Sequence, residues 1–164
     1  MLYIARSLGQ LDFSKLMAVY EEGNLENAED LYPELSKGQA LLRAEQDFYQ
    51  YLRESFFKTQ GAYYAIWQEN GNYVSALRIE PYKDGVLLEA LESHPQHRRQ
   101  GFAEKLIRAV LPMEKKIYSH VGKRNAASLA VHEKCGFRRI SEQAVYIDGS
   151  VNQKCCTLCF ETEK

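Results

Sequence analysis

The sequence predicts a single-domain α/β fold, a mixed and mostly antiparallel sheet with helices on both faces. Three observations carry this expectation. Two helical periodicities open the chain, three β-rich runs joined by short Gly-containing turns follow, and a strand–helix–strand stretch then supplies one parallel crossover. The 164 residues are 45% hydrophobic and 26% charged, enough for one sizeable core. No repeat, linker or low-complexity tract divides them, so residues 1–164 are expected to form one domain.

Residues 2–5 (LYIA) read as a short strand. Phe13, Leu16, Met17 and Tyr20 recur at i, i+3, i+4, i+7, the stripe of an amphipathic helix expected to end near Gly23. A second helix is expected from about 38 to 57, with Leu41, Ala44, Phe48 and Leu52 on one face. Runs 62–69, 72–80 and 85–93 are β-rich, and Asn70-Gly71 and Asp84-Gly85 between them favour hairpin turns, which makes an antiparallel meander. After Pro95 a helix opens at Gly101 and stops at Pro112, and a strand follows at 116–121. Asn125 is a good N-cap for a helix through Lys134, with Gly136 at its left-handed terminus. Two closing strands, 138–147 and 151–160, are expected to turn at Asp148-Gly149.

Composition excludes several classes. Eleven Tyr, seven Phe and one Trp supply apolar area that a disordered chain lacks. The longest unbroken apolar run is Ala62–Trp67, far short of the ~20 residues that span a bilayer. The opening MLYIARSLGQLD is too short for a signal segment, so a cytoplasmic protein with no membrane partner is expected. Cys135, Cys155, Cys156 and Cys159 are too few and too bunched for a disulfide framework. Strand alternation sends Cys156 and Cys159 to opposite faces and no second ligand pair exists, so no metal is expected.

Charge is uneven although the net is only -1. Segment 94–139 holds eleven Lys or Arg against three Glu, a surplus of eight, which points to a polyanion site in the second half. Within it lies LEALESHPQHRRQGFAEKLI, where a strand ends, a run of donors intervenes and a helix begins. The first amides of a helix lack intrahelical partners and sit at the positive end of its dipole, so they bind phosphate oxygens.

Arg98-Arg99-Gln100-Gly101-Phe102-Ala103 resembles the R/Q-x-x-G-x-G/A signature of the GNAT superfamily of N-acetyltransferases. A second stretch, Asn125-Ala-Ala-Ser128-Leu-Ala-Val-His132-Glu-Lys-Cys-Gly-Phe, is similar to that family's later helix. The resemblance implies the acyl-CoA N-acyltransferase fold, with acetyl-CoA as co-substrate. It further implies that Arg98 to Ala103 hold the pyrophosphate, with contacts to the CoA arm from Asn125 and Ser128. A backbone amide of Leu91 or Ser93 would face the oxyanion. The family's tyrosine proton donor is replaced here by His132, the expected acid, with Tyr118, His120 and Tyr146 as substitutes. Glu89 is the expected base, sharing a side with Leu91 and Ser93 by strict alternation. With no Ser or Cys in a nucleophile arrangement, direct transfer to an amine is expected.

Between Lys15 and Lys37 stand six acidic residues, Glu21, Glu22, Glu26, Glu29, Asp30 and Glu34, and no basic one. In the family the first two helices wall the acceptor groove, so a cationic amine, small-molecule or peptide, is the expected acceptor, to a monomer or homodimer. Two alternatives compete: a non-catalytic acyl-CoA-binding module of the same fold, and a nucleic-acid-binding domain using the basic segment. The lack of a nucleic-acid motif weighs against the second, and no nucleic-acid partner is expected.

Overall fold

The structure, a computed structural model, describes residues 1–163. One seven-stranded sheet runs through it in the order β1-β2-β3-β4-β5-β9-β6. Its strands are β1 (Leu2–Ala5), β2 (Tyr63–Glu69), β3 (Asn72–Tyr82), β4 (Gly85–Ser93), β5 (Lys116–Gly122), β6 (Arg138–Ser141) and β9 (Cys155–Glu161). Every neighbouring pair is antiparallel except β4 and β5, the expected crossover pair. The helices are α1 (Phe13–Leu31), α2 (Lys37–Glu54), α3 (Phe102–Val110) and α4 (Ala126–Lys134).

The two faces carry separate cores. On one, Leu16, Val19 and Tyr20 of α1 and Leu52 of α2 pack on Tyr64, Ile66 and Ala76. On the other, Leu106, Ile107 and Val110 of α3 pack on Leu77, Ile79, Leu88 and Ile117. The mixed sheet with helices on both faces is thus the fold observed.

Three boundaries differ from the sequence reading. Helix α1 runs on past Gly23 to Leu31. A lone glycine costs a helix about 1 kcal/mol, and here burial of Ala28 beyond it offsets that cost. The helix stops where Pro33 forces the preceding residue out of the α region. Helix α2 ends at Glu54, with a separate 3-10 turn over Phe56–Lys58. The closing strands are each broken: β6 pairs with β9, while β7 (Ala144–Val145) and β8 (Val151–Asn152) form their own ribbon around the Asp148-Gly149 turn. Side-chain turns cause the breaks, the Gln143 amide donating to Ser141 Oγ at 3.3 Å and the Lys154 amide to Asn152 Oδ1 at 2.9 Å.

Strands β4 and β5 pair only over Val86–Ile117, Leu87–Tyr118 and Leu88–Ser119. A bulge follows in β4: Arg78 faces Glu89 but Ala76 faces Glu92, so two steps of β3 match three of β4. Ala90 takes φ 52 at that point. The bulged strand bends away, and the sheet opens between β4 and β5.

The start of this pair is tight. A Cβ at Gly85 would lie 2.4 Å from the Lys116 carbonyl oxygen, on backbone that cannot yield. Gly85→Ala is therefore expected to destabilise the fold by about 1–3 kcal/mol, read as a lowered midpoint in chemical unfolding.

Candidate active site

A cleft of about 790 Å³ opens where β4 and β5 part. Its walls are the end of β4, the loop to α3, the first turn of α3 and one side of α4. Leu91, Ser93, Arg98, Arg99, Gly101, Phe102, Ala103, Asn125 and Ser128 all line it. Gln100 does not, although it lies in the same loop.

The sequence builds this loop as an anion cradle. Pro95 starts a 3-10 turn, and His94 Nδ1 accepts from the Gln96 amide at 3.1 Å. Arg99 and Gly101 both take positive φ, 62° and 79°. Helices α1, α2 and α4 are capped by Asp12, Ser36 and Asn125, whose side chains accept first-turn amides. Helix α3 has no such cap among the described residues, and its first ladder bond is Lys105 N to Gly101 O at 3.0 Å. The amides of Phe102, Ala103 and Glu104 thus precede the ladder, facing an open cleft. No heavy atom lies within 4 Å of a Cβ built on Gly101, so a ligand can approach the backbone closely.

Arg98, Arg99 and Lys134 bring positive charge to the same cleft. Arg98 Nη1 meets Glu22 Oε2 of α1 at 2.8 Å, an ion pair that ties the loop to that helix. Both members are substantially exposed and the pair contributes little stability. Sequence reasoning missed Ala127, Ala130, Val131 and Lys134 as lining residues. Their i, i+3, i+4, i+7 spacing was the available signal.

The expected acid and base lie outside this cleft. His132 is 1% exposed. Its Nε2 is 2.8 Å from Ser119 Oγ and its Nδ1 2.7 Å from the Ser128 carbonyl oxygen. A carbonyl only accepts, so Nδ1 carries the proton and Nε2 accepts from the serine hydroxyl. Burial pushes the imidazole below its ordinary value, which keeps it neutral. The expected proton donor is thus placed as a neutral ring that orients Ser119, itself 2% exposed. Both members of this serine–histidine contact are buried and neither lines the cleft, so the contact presents no nucleophile there.

Glu89 is placed on the α1/α2 face, and the bulge at Ala90 corrects its expected alignment. Leu91 packs in the opposite core, so the two residues do not share a side. Arg78, the cross-strand partner, approaches Glu89 with Nε to Oε2 at 3.4 Å. The guanidinium lies over the rings of Tyr51, Phe48 and Phe56 at 5.2, 5.8 and 5.9 Å. Burial, then a hydrogen bond shared with the Glu80 carboxyl, pushes Glu89 up to about 8 against the pull of Arg78.

The comparisons with known proteins bear on family and fold. The sequence model of the acetyltransferase (GNAT) family matches residues 25–137. The chain belongs to that family. No curated protein matches it. Among solved structures, this GNAT chain is similar to the IAA acetyltransferase from Bacillus cereus ATCC 14579, with 16% identity over 99% of this chain and 100% of that one and a TM-score of 0.60. It is similar also to the PaiA N-acetyltransferase from Thermoplasma acidophilum in complex with coenzyme A, with 11% identity over 99% of both chains and a TM-score of 0.64. A third likeness is to the ribosomal-protein-S18-alanine N-acetyltransferase from Escherichia coli, at 19% identity, 98% and 94% coverage and a TM-score of 0.56. At these identities the likeness is one of fold. Among the described residues, no helix is long and apolar enough to cross a membrane.

Proposed function

We propose that this GNAT chain transfers the acetyl group of acetyl-CoA directly to a cationic amine, small-molecule or peptide. The observation that carries the reading is the uncapped start of α3, facing a cleft that leads to the gap between β4 and β5. In this reading the amides of α3 and Arg99 hold the diphosphate, Arg98 leaves Glu22 to join them, and Asn125 and Ser128 flank the CoA arm. The thioester then points into the gap, where proximity to the acceptor does much of the work.

The acceptor enters from the α1/α2 face. An ammonium cannot attack, so Glu89 takes its first proton; a carboxyl raised to about 8 is a competent acceptor in mildly alkaline solution. The amide of Leu91 or Ser93, next to the bulge, is the proposed donor to the oxyanion. His132 acts only by positioning Ser119.

Charge on the acceptor side supports a cationic amine. A second hollow, of about 430 Å³, is lined by Phe13, Ser14, Met17, Ala18, Glu21 and Glu45. Burial and the neighbouring Glu21 both raise Glu45, so two carboxyls oppose one another there without a basic partner among the lining residues. Of the six acids in α1 and its link to α2, Glu22 reaches the CoA cleft and Glu21 this hollow.

Thiol release from acetyl-CoA with a panel of amines tests the reading. Diamines and polyamines are expected to give kcat/KM at least tenfold above amines bearing a carboxylate. Equal rates for both would remove the cationic preference. Binding of acetyl-CoA with no amine-dependent thiol release would leave the non-catalytic module in its place.

A further inference from the structure

A second proton must leave the acceptor nitrogen after the first. An ammonium becomes an amide nitrogen only by shedding one proton before attack and another as the C–N bond forms, and the departing thiolate must gain one. Glu89 serves the first step in the proposed function, and the inference below rests on that reading.

Beyond the last paired residues of the parallel ladder, Leu88 and Ser119, the next residues are Glu89 on β4 and His120 on β5. Both belong to the α1/α2 face of the sheet. Leu87 and Tyr118, two residues back or one pair earlier, share a buried cluster with Tyr82 there, and the His120 ring packs edge-on to Tyr82 at 5.6 Å. Glu89 and His120 therefore stand on opposite lips of the gap, on the side from which the acceptor arrives.

His120 Nε2 is the one buried side-chain polar atom without a hydrogen-bond partner among the described residues. Its aromatic neighbours are committed elsewhere. The Tyr82 hydroxyl donates to the Val145 carbonyl at 2.5 Å, and the Tyr146 hydroxyl, whose ring lies 5.4 Å from the imidazole, accepts from Asn152 Nδ2 at 3.0 Å. A buried nitrogen left unpaired is costly unless something outside the protein completes it. Burial, and then the charge of Lys83, hold this imidazole below its ordinary value, so at neutral pH one ring nitrogen offers a lone pair.

We infer that His120 is a second proton-transfer residue of this site, carrying the nitrogen's remaining proton to the CoA sulfur. As the C–N bond forms, His120 takes that proton. As the C–S bond breaks, the leaving thiolate receives it, and the product is the thiol. The imidazole begins and ends neutral, so no further reactant is needed. Such a role also leaves no proton for His132 to supply.

Tyr82 and Tyr146 pack on the His120 ring and Lys83 lowers it, while Glu89 of β4, Tyr118 of its own strand and Cys159 of β9 lie on the same face of the sheet. A pH profile of the wild type alone would mix these groups, so substitution and rescue decide. His120→Phe keeps the ring packing and removes both nitrogens. Its kcat with a cationic amine is expected to fall on the order of 100-fold, while the acetyl-CoA dissociation constant stays within twofold. His120→Ala should fall similarly and regain at least tenfold in rate with added imidazole, which a purely structural loss would not. A His120→Phe enzyme within threefold of the wild-type rate overturns the inference, as does His120→Ala that imidazole fails to rescue. Wild-type protein that binds acetyl-CoA but acetylates no amine would instead overturn the proposed function, and this inference with it.

Discussion

Gly101→Asp is expected to weaken acetyl-CoA binding on the order of 100-fold without unfolding the protein. The fold should survive for two reasons. A Cβ at this position meets nothing within 4 Å, and aspartate is among the side chains that best tolerate the left-handed backbone seen here, φ 79. Binding should not survive, because the new carboxylate would sit at the mouth of an uncapped helix N-terminus and compete with the diphosphate for the same amides. Gly101→Asn separates shape from charge, since it caps as well but carries no charge. It should lose less, about tenfold, and titration calorimetry on both variants makes the comparison.

Glu89→Gln is expected to lower kcat by about 10²–10³-fold. The sign of its pH dependence follows from the environment of the carboxyl. The base acts only when ionised, and burial with the Glu80 contact raises Glu89 to about 8. Wild-type kcat/KM should therefore climb about tenfold per unit of pH below 8 and level off above it. The Gln variant should lose that limb, keeping a low and flatter rate. A limb near the ordinary carboxylate range would show that the carboxyl is not held as the structure places it. The substitution removes the ion partner of Arg78, but the guanidinium keeps its stacking on Tyr51, Phe48 and Phe56. Thermal unfolding of the variant separates any loss of fold from loss of chemistry.

The fold was legible in the sequence wherever local chemistry decides. Asn125 marks the start of α4, and Asn70-Gly71 and Asp148-Gly149 mark turns with positive φ, because caps and turns are properties of a few adjacent residues; at Asp84-Gly85 the positive φ falls on Lys83, and Gly85 opens β4. The loop from Arg98 to Ala103 and the uncapped start of α3, where the proposed function puts the diphosphate, were legible for the same reason, since they are contiguous in the chain.

What could not be read depends on partners distant in sequence. Unbroken alternation along β4 puts Glu89 on the side of Leu91. The bulge at Ala90 is set by pairing with β3, which no pattern within β4 reveals. His132 stands where the resemblance implies a proton donor, yet its hydrogen-bond partner Ser119 lies thirteen residues earlier on β5 and no pattern within α4 reveals it. The extent of α1 past Gly23 likewise follows from burial of Ala28 against the rest of the fold. Arg78, which shapes the surroundings of Glu89 from the facing strand, carried no signal of its own.

Calorimetric titration of the intact protein with CoA, beside pantetheine, which lacks the nucleotide diphosphate, tests the central claim most directly. The account predicts saturable heat with CoA at micromolar concentrations and at least 100-fold weaker binding of pantetheine. No heat with CoA from a folded protein, or equal affinity for the two, would contradict it.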